Sequence, residues 1–155
     1  MRRSIIVATA VAAAALALPA VASAHVVVTP GSVAPGGFAT FTLSVPTEGN
    51  SPTRRVELSI PQSVTFGSYE AVRGWRITPV KTRSGRVYKL VVRGNLPVGQ
   101  FQRFAFSAGV PETPTTLSWR AIQTYRNGRV VRWTGAPGSD TPASTTAVEG
   151  TPAGG

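Results

Sequence analysis

The sequence of 155 residues lacks cysteine, and it contains one histidine and one methionine, the initiator. Without cysteine the chain can form no disulfide bond, zinc ribbon, iron–sulfur cluster, blue-copper centre or thiol nucleophile. Without a further methionine, the rest of the chain offers no sulfur ligand to a soft metal ion. A single histidine excludes every metal site built on two histidines and argues against a Ser/His/Asp triad.

Acidic residues are scarce as well. The chain has 6 Asp and Glu against 16 Lys and Arg, a formal net charge of +10. Leaving out Arg2 and Arg3, the remaining 14 basic and 6 acidic residues give +8. This excess favours contact with anionic polymers or surfaces. A hydrophobic content of 42% in a chain of one-domain length predicts a folded domain rather than a disordered basic protein.

The first 24 residues have the pattern of a secretory signal peptide. Arg2 and Arg3 precede an apolar run, Ile5–Leu18, and small residues follow up to Ala24. The run is shorter than the roughly 20 residues of a membrane-spanning helix, which would be the alternative. We therefore expect cleavage and a secreted or extracytoplasmic protein. The preferred cut is after Ala24, and a cut after Ala22 also fits.

The preferred cut makes His25, the only histidine, the first residue of the mature chain. The free α-amine and the imidazole Nδ1 of an N-terminal histidine can chelate one divalent ion in a six-membered ring. The alternative is a solvated surface histidine. The position at the predicted cut favours the metal-ligand interpretation.

After the leader the chain shows the patterns of short β-strands. Apolar and polar residues alternate over 39–45, 56–60 and 104–108, and Asn127-Gly128 predicts a hairpin turn. No segment keeps a helical period for three turns. The sequence therefore predicts an all-β fold, an antiparallel two-sheet sandwich over 25–134.

The residues from 135 to 155 are rich in Pro, Gly, Ser, Thr and Ala and contain no apolar run. This composition predicts a disordered polar tail with no membrane anchor.

Two further residues are candidates for a site near His25. Glu70 lies at a predicted strand end, between Tyr69 and a turn that leads to Trp75, where its carboxylate can complete a metal site or pair with an arginine. Trp133 ends the last predicted strand, and strand ends lie near one another in a sandwich, so this side chain can cover a site at the N-terminal strand.

These residues lie within segments that together resemble a known family. The segments are Ala24-His25-Val26, Val45-Pro46-Thr47-Glu48, Ser68-Tyr69-Glu70 with Gly74-Trp75, Pro97-Val98-Gly99-Gln100-Phe101-Gln102-Arg103-Phe104, Gln123-Thr124-Tyr125 with Asn127-Gly128, and Val131-Arg132-Trp133-Thr134-Gly135. Over about 25–135, the chain resembles the YcnI-like copper-binding domain of bacterial envelope proteins.

The resemblance implies a cupredoxin-like or immunoglobulin-like sandwich that binds Cu(II) through a mono-histidine brace. It implies that His25 supplies two nitrogen ligands, that Glu70 is the acidic ligand and that Trp133 lies over the copper. It also implies a copper chaperone or scavenger in copper homeostasis, not an enzyme, with a membrane copper importer or another copper protein as partner. Many relatives end in a transmembrane helix, whereas this chain ends in a polar tail, so a released or wall-associated protein is expected.

Two other functions have less support in the sequence. A copper oxygenase that cleaves polysaccharide uses a second histidine, which this chain lacks. An adhesion module without a metal would bind anionic wall polymers through the basic surface. Nucleic acid is not an expected partner, because the predicted signal peptide takes the protein out of the cell.

Overall fold

The computed structural model describes residues 24–151, so the predicted leader lies outside the described residues except for Ala24. Residues 24–151 form strands and connecting turns without a helix, which confirms the all-β prediction. Accordingly, this part of the chain has no helix suited to crossing a membrane. The strands are β1 (Val27–Thr29), β2 (Ser32–Val33), β3 (Phe38–Pro46), β4 (Thr53–Ser59), β5 (Thr65–Tyr69), β6 (Arg76–Lys81), β7 (Val87–Leu96), β8 (Phe101–Gly109), β9 (Thr115–Trp119), β10 (Ala121–Tyr125), β11 (Val130–Trp133) and β12 (Ser144–Val148).

The strands form two main sheets and one small sheet. The first sheet has the order β1-β3-β8-β5, and the second has the order β11-β10-β4-β7-β6; all of their pairings are antiparallel. The small sheet has the order β2-β12-β9, with β12 antiparallel to β9 and parallel to β2. The predicted antiparallel sandwich is therefore present, with one additional sheet at the chain ends.

The core lies between the two main sheets. Along β3 the buried residues Phe41, Leu43 and Val45 alternate with partly exposed ones, and β8 repeats the pattern with Phe104 and Phe106. Because the side-chain period of a strand is two, each strand sends one row of apolar side chains inward. Burying one such side chain contributes about 1.5–3 kcal/mol relative to leaving it in water.

Trp119 marks the point where the chain changes sheets. Strand β9 ends at Trp119 in the small sheet, and β10 begins at Ala121 in the second sheet. The indole of Trp119 is buried against the rings of Phe41 and Phe106, with centroid distances of 5.1 and 5.7 Å. Trp119 is therefore part of the core.

The prediction of a disordered tail over 135–155 is corrected by β12. Within this strand Thr146 and Val148 are buried, and Thr146 Oγ1 accepts a hydrogen bond from Trp119 Nε1 at 3.0 Å. Backbone pairing with β9 and one buried valine hold the strand in place, so it needs no apolar run.

The small sheet also joins the two ends of the folded chain. Ala147 N donates to Gly31 O at 2.9 Å, and Glu149 N donates to Val33 O at 3.0 Å. The hydroxyl of Thr146 donates to Pro30 O at 2.9 Å. We call this set of contacts between residues 30–33 and residues 144–149 the terminal clasp.

Candidate metal centre

His25 lies just before β1, the strand at one edge of the first sheet, and its side chain is half-buried. Its imidazole packs on the indole of Trp133, with ring centroids 5.3 Å apart and planes tilted by 54°. Trp133 ends β11, which is the edge strand of the second sheet. The structure thus brings these two predicted site residues together where the edges of the two sheets meet.

Gln123 holds the indole of Trp133 in this position. Trp133 Nε1 donates to Gln123 Oε1 at 3.0 Å, and Gln123 Nε2 donates to Pro46 O and to Thr53 Oγ1, both at 2.8 Å. The Gln123 side chain is fully buried, and the hydroxyl of Thr47 adds a 2.7 Å bond to that of Thr53. Buried polar groups that satisfy one another in this way fix side-chain orientation.

Gln123 is not among the site residues predicted from the sequence. The sequence does contain an indication of its role. Ala121 and Tyr125, two residues before and after Gln123 on β10, face the core, so Gln123 faces the core as well. A polar side chain that faces the core requires buried hydrogen-bond partners. Those partners come from β11, β4 and the end of β3, so only the tertiary structure identifies them.

The end of β3 lies at the level of His25 along the first sheet. Val27 pairs with Ser44, so continuing the antiparallel register brings His25 level with Pro46. Pro46 in turn pairs with Phe101 of β8. Glu48 follows two residues after Pro46 and is exposed. The turn that carries Glu48 therefore lies at the same end of the sandwich as His25.

The structure does not bring Glu70 to this place. Glu70 follows β5, the opposite edge of the first sheet, and its backbone N donates to Ala105 O at 2.9 Å. Strands β3 and β8 lie between β1 and β5, which puts the two edges about 14 Å apart at 4.8 Å per strand. The role of Glu70 as a metal ligand stays a prediction that its position does not support.

A groove of about 770 Å³ lies on that same far side, between β5 and the hairpin of β6 and β7. Phe66, Tyr69 and Lys81 line it together with Arg86, whose Nη2 already donates to the carbonyl groups of Ile60 and Pro61. The groove is thus separate from the His25–Trp133 contact.

Side chains alone do not assemble a metal site in the described part of the chain. Residues 24–151 contain no group of three or more His, Cys, Asp or Glu placed to hold a metal ion. The α-amine of an N-terminal His25 is a donor outside this set of side chains. In the uncut chain that nitrogen is an amide joined to Ala24, so it becomes an amine only after cleavage. An amine and an imidazole together form a nitrogen donor set that suits divalent copper.

Comparison with known proteins identifies a family and a copper-binding relative. A family model described as a domain of unknown function, DUF1775, matches residues 25–153. The chain is 40% identical to the copper-binding protein CutI of Bacillus subtilis (strain 168) over 139 residues, which are 88% of this chain and 68% of CutI.

Solved structures agree with the sandwich. A crystal structure from Nocardia farcinica, described as an immunoglobulin-like fold, superposes with a TM-score of 0.69 at 28% identity, covering 80% of this chain and 97% of that one. A cohesin module from a Clostridium perfringens family 33 glycoside hydrolase gives 0.55 at 10% identity, covering 81% and 96%, which is a likeness of fold alone. The predicted immunoglobulin-like sandwich is confirmed.

Proposed function

Because this chain belongs to the DUF1775 family, which confirms the family resemblance predicted from its sequence, we propose that its mature form is an extracytoplasmic Cu(II)-binding protein. The observation that carries the proposal is the contact between His25 and Trp133, which places the sole imidazole against a fixed indole. The copper-binding relative at 40% identity supports the choice of metal. The protein holds copper as cargo, as a chaperone or scavenger in copper homeostasis, and does not act as an enzyme.

The proposed ligands begin with a mono-histidine brace at His25. After cleavage behind Ala24, the α-amine and Nδ1 of His25 close a six-membered chelate on one Cu(II) ion. Both nitrogens must be unprotonated to bind the metal. Since the mature chain carries no sulfur ligand, it retains Cu(II) in preference to Cu(I).

Trp133 is proposed as the cover of this site. Its side chain is only 6% exposed, and the bond to Gln123 prevents the indole from rotating away from His25. An apolar ring in this position limits the access of water to one side of the imidazole and restricts its orientation.

A carboxylate completes the proposed ligand set. The family resemblance assigns this role to Glu70, whereas the strand register brings the turn with Glu48 to the level of His25. We therefore expect Glu48→Gln to weaken Cu(II) binding by at least the roughly 10-fold typical of losing even an outer-shell partner. Glu70→Gln should leave the affinity unchanged, and the opposite result would return the ligand role to Glu70.

The test of the proposal is Cu(II) electron paramagnetic resonance on mature protein whose first residue is confirmed as His25 by mass spectrometry. We expect a one-to-one signal with nitrogen couplings that disappears in His25→Ala. A matched control retains Ala24 before His25, which keeps the imidazole but converts the α-amine into an amide. If this extended chain binds Cu(II) as well as the mature chain does, the brace is refuted.

A further inference from the structure

The outer face of the second sheet carries a concentration of positive charge. Arg76 on β6 pairs with Arg93 on β7, and Arg93 pairs with Arg55 on β4. Because residues directly opposite each other on neighbouring strands point to the same face, these arginines form a straight row across three strands. Lys89 and Arg132 point to the same face, since they flank the inward-facing Leu90 and Trp133. We call these five cations the basic face.

A single acid lies among them. Glu57 accepts hydrogen bonds from Arg55 Nη2 and Lys89 Nζ, both at 3.0 Å, and these are the two ion pairs found in residues 24–151. Partial burial by itself raises the pKa of Glu57, but the hydrogen bond from Lys89 and the positive charges of Arg55 and Lys89 outweigh it, so the pKa lies below its ordinary value. Glu57 is therefore ionised at neutral pH and pairs with two of the five cations through Oε1.

The row remains unbalanced after this pairing. Arg76 and Arg93 are exposed and make no ion pair within the described residues. Arg55 Nε is buried and finds no hydrogen-bond acceptor in that part of the chain. Like charges placed directly opposite each other on adjacent strands destabilise a sheet. An external anion that lies along the row would remove this repulsion.

We propose that the basic face binds a linear phosphodiester polymer, with its backbone lying along the row from Arg76 to Arg55. The planar guanidinium group matches a phosphate group with two parallel hydrogen bonds, and the three arginine backbones follow one another at about 4.8 Å across the sheet. A line of cations suits a line of phosphates. The alternative of a lipid surface has less support, because Val130, at 45%, is the one large apolar side chain of this face that is strongly exposed among the described residues.

The proposal is independent of the copper proposal. Arg76 and Arg93 lie on β6 and β7, whereas Trp133 lies on β11 at the opposite edge of the same sheet. Variants at Arg76 and Arg93 therefore test the polymer site without touching His25 or its neighbours.

The experiment measures binding of poly(glycerol phosphate) to the mature protein as a function of salt concentration. The test variant is Arg76→Gln with Arg93→Gln. The matched control is Arg83→Gln with Arg103→Gln, which removes the same charge from the turn after β6 and from β8 in the first sheet. We expect the test variant to lose at least about 10-fold in affinity, with the slope of log K against log salt reduced by about 1.4 for two lost contacts. The control should stay within about twofold of wild type.

A second variant and a second probe make the result decisive. Arg76→Lys with Arg93→Lys keeps the charge but removes the planar fork, so it should recover the full salt slope but only part of the affinity, while showing that the sheet is intact. Vesicles of phosphatidylglycerol carry the same glycerol phosphate group on a surface. Equal weakening by the test and control variants would overturn the proposal in favour of net charge, and dependence on the row for vesicles but not for the polymer would overturn it in favour of a membrane.

Discussion

Gln123 is the residue on which the position of Trp133 depends. Replacing it with leucine keeps the size of the side chain but leaves Trp133 Nε1 and Pro46 O without this partner, while the Thr53 hydroxyl keeps its hydrogen bond from Thr47. Each unsatisfied buried polar group costs about 1–3 kcal/mol, so we expect Gln123→Leu to lower the free energy of unfolding by at least that amount. Urea denaturation measures the loss, and the exposed Gln100→Leu is the matched control. A neutral Gln123→Leu would show that the hydrogen bonds are replaced by other contacts.

Glu57 gives the stability of the protein a dependence on pH. Its pKa is lower in the folded chain than in the unfolded one, so its contribution is complete above the ordinary carboxyl range and disappears as the pH falls through the folded pKa. Since Arg55 and Lys89 are about one-third exposed, the contribution is about 0.5–1 kcal/mol at neutral pH, that of a partly screened pair.

Glu57→Gln should accordingly be less stable than wild type at pH 7, and the two proteins should converge as the pH falls below the ordinary carboxyl range. Thermal unfolding between pH 3 and pH 7 measures the difference. A difference that persists unchanged at the acidic end would assign the effect to packing rather than to charge.

At the scale of elements, β12 is the strand that decides where the domain ends. It covers Trp119 through Thr146 and buries Val148. Ending the chain after Pro142 removes the whole strand and exposes the indole, so we expect a loss of about 3–5 kcal/mol, comparable to truncating a buried aromatic side chain. Ending it after Gly150 leaves β12 intact and serves as the control. Equal stability of the two truncated proteins would restore the prediction of a disordered tail.

The sequence predicted those elements that carry their own signal. Strands β3, β4 and β8 alternate apolar and polar residues over enough positions to define both the strand and its buried face. Strand β12 has only Val148 as a large apolar residue, and its stability comes from pairing with β9, which lies more than 20 residues earlier. The break at Arg120 has no sequence signal for a related reason, because nothing local shows that β9 and β10 belong to different sheets.

The residues of the candidate site were likewise predictable from the sequence only in part. His25 was identified from its position at the predicted cut, and Trp133 from its place at a strand end; the structure puts their rings in contact. Gln123 and the separation between His25 and Glu70 depend on sheet order, which is a property of the tertiary structure. Spacing along the chain contains no measure of the distance across a sheet.

At the scale of the whole molecule, the proposed copper site lies at the β11 edge of the second sheet, whereas the arginine row runs from the opposite edge, β6, to the central strand β4. Two to four strand spacings, about 10–19 Å, separate β11 from the row, and the Debye length at 0.15 M salt is about 8 Å. We therefore expect Cu(II) to change the affinity for poly(glycerol phosphate) by less than about twofold. Because coupling is reciprocal, the polymer should change the affinity for Cu(II) by the same factor. Titration of each ligand in the presence of the other measures this. A larger coupling would require a conformational change that links the two edges.

The terminal clasp determines how the folded domain responds to mechanical tension between its two ends. Strands β2 and β12 are parallel, and one lies near each end of the described chain. A pull on both ends therefore drives the two strands in opposite directions along their common axis. The backbone bonds from Ala147 and Glu149 then bear the load in shear, all at once, instead of opening one after another as in a zipper. If the protein is held to a surface at one end while a bound partner pulls on the other, the load passes from β1 to this parallel pair, which resists it in shear.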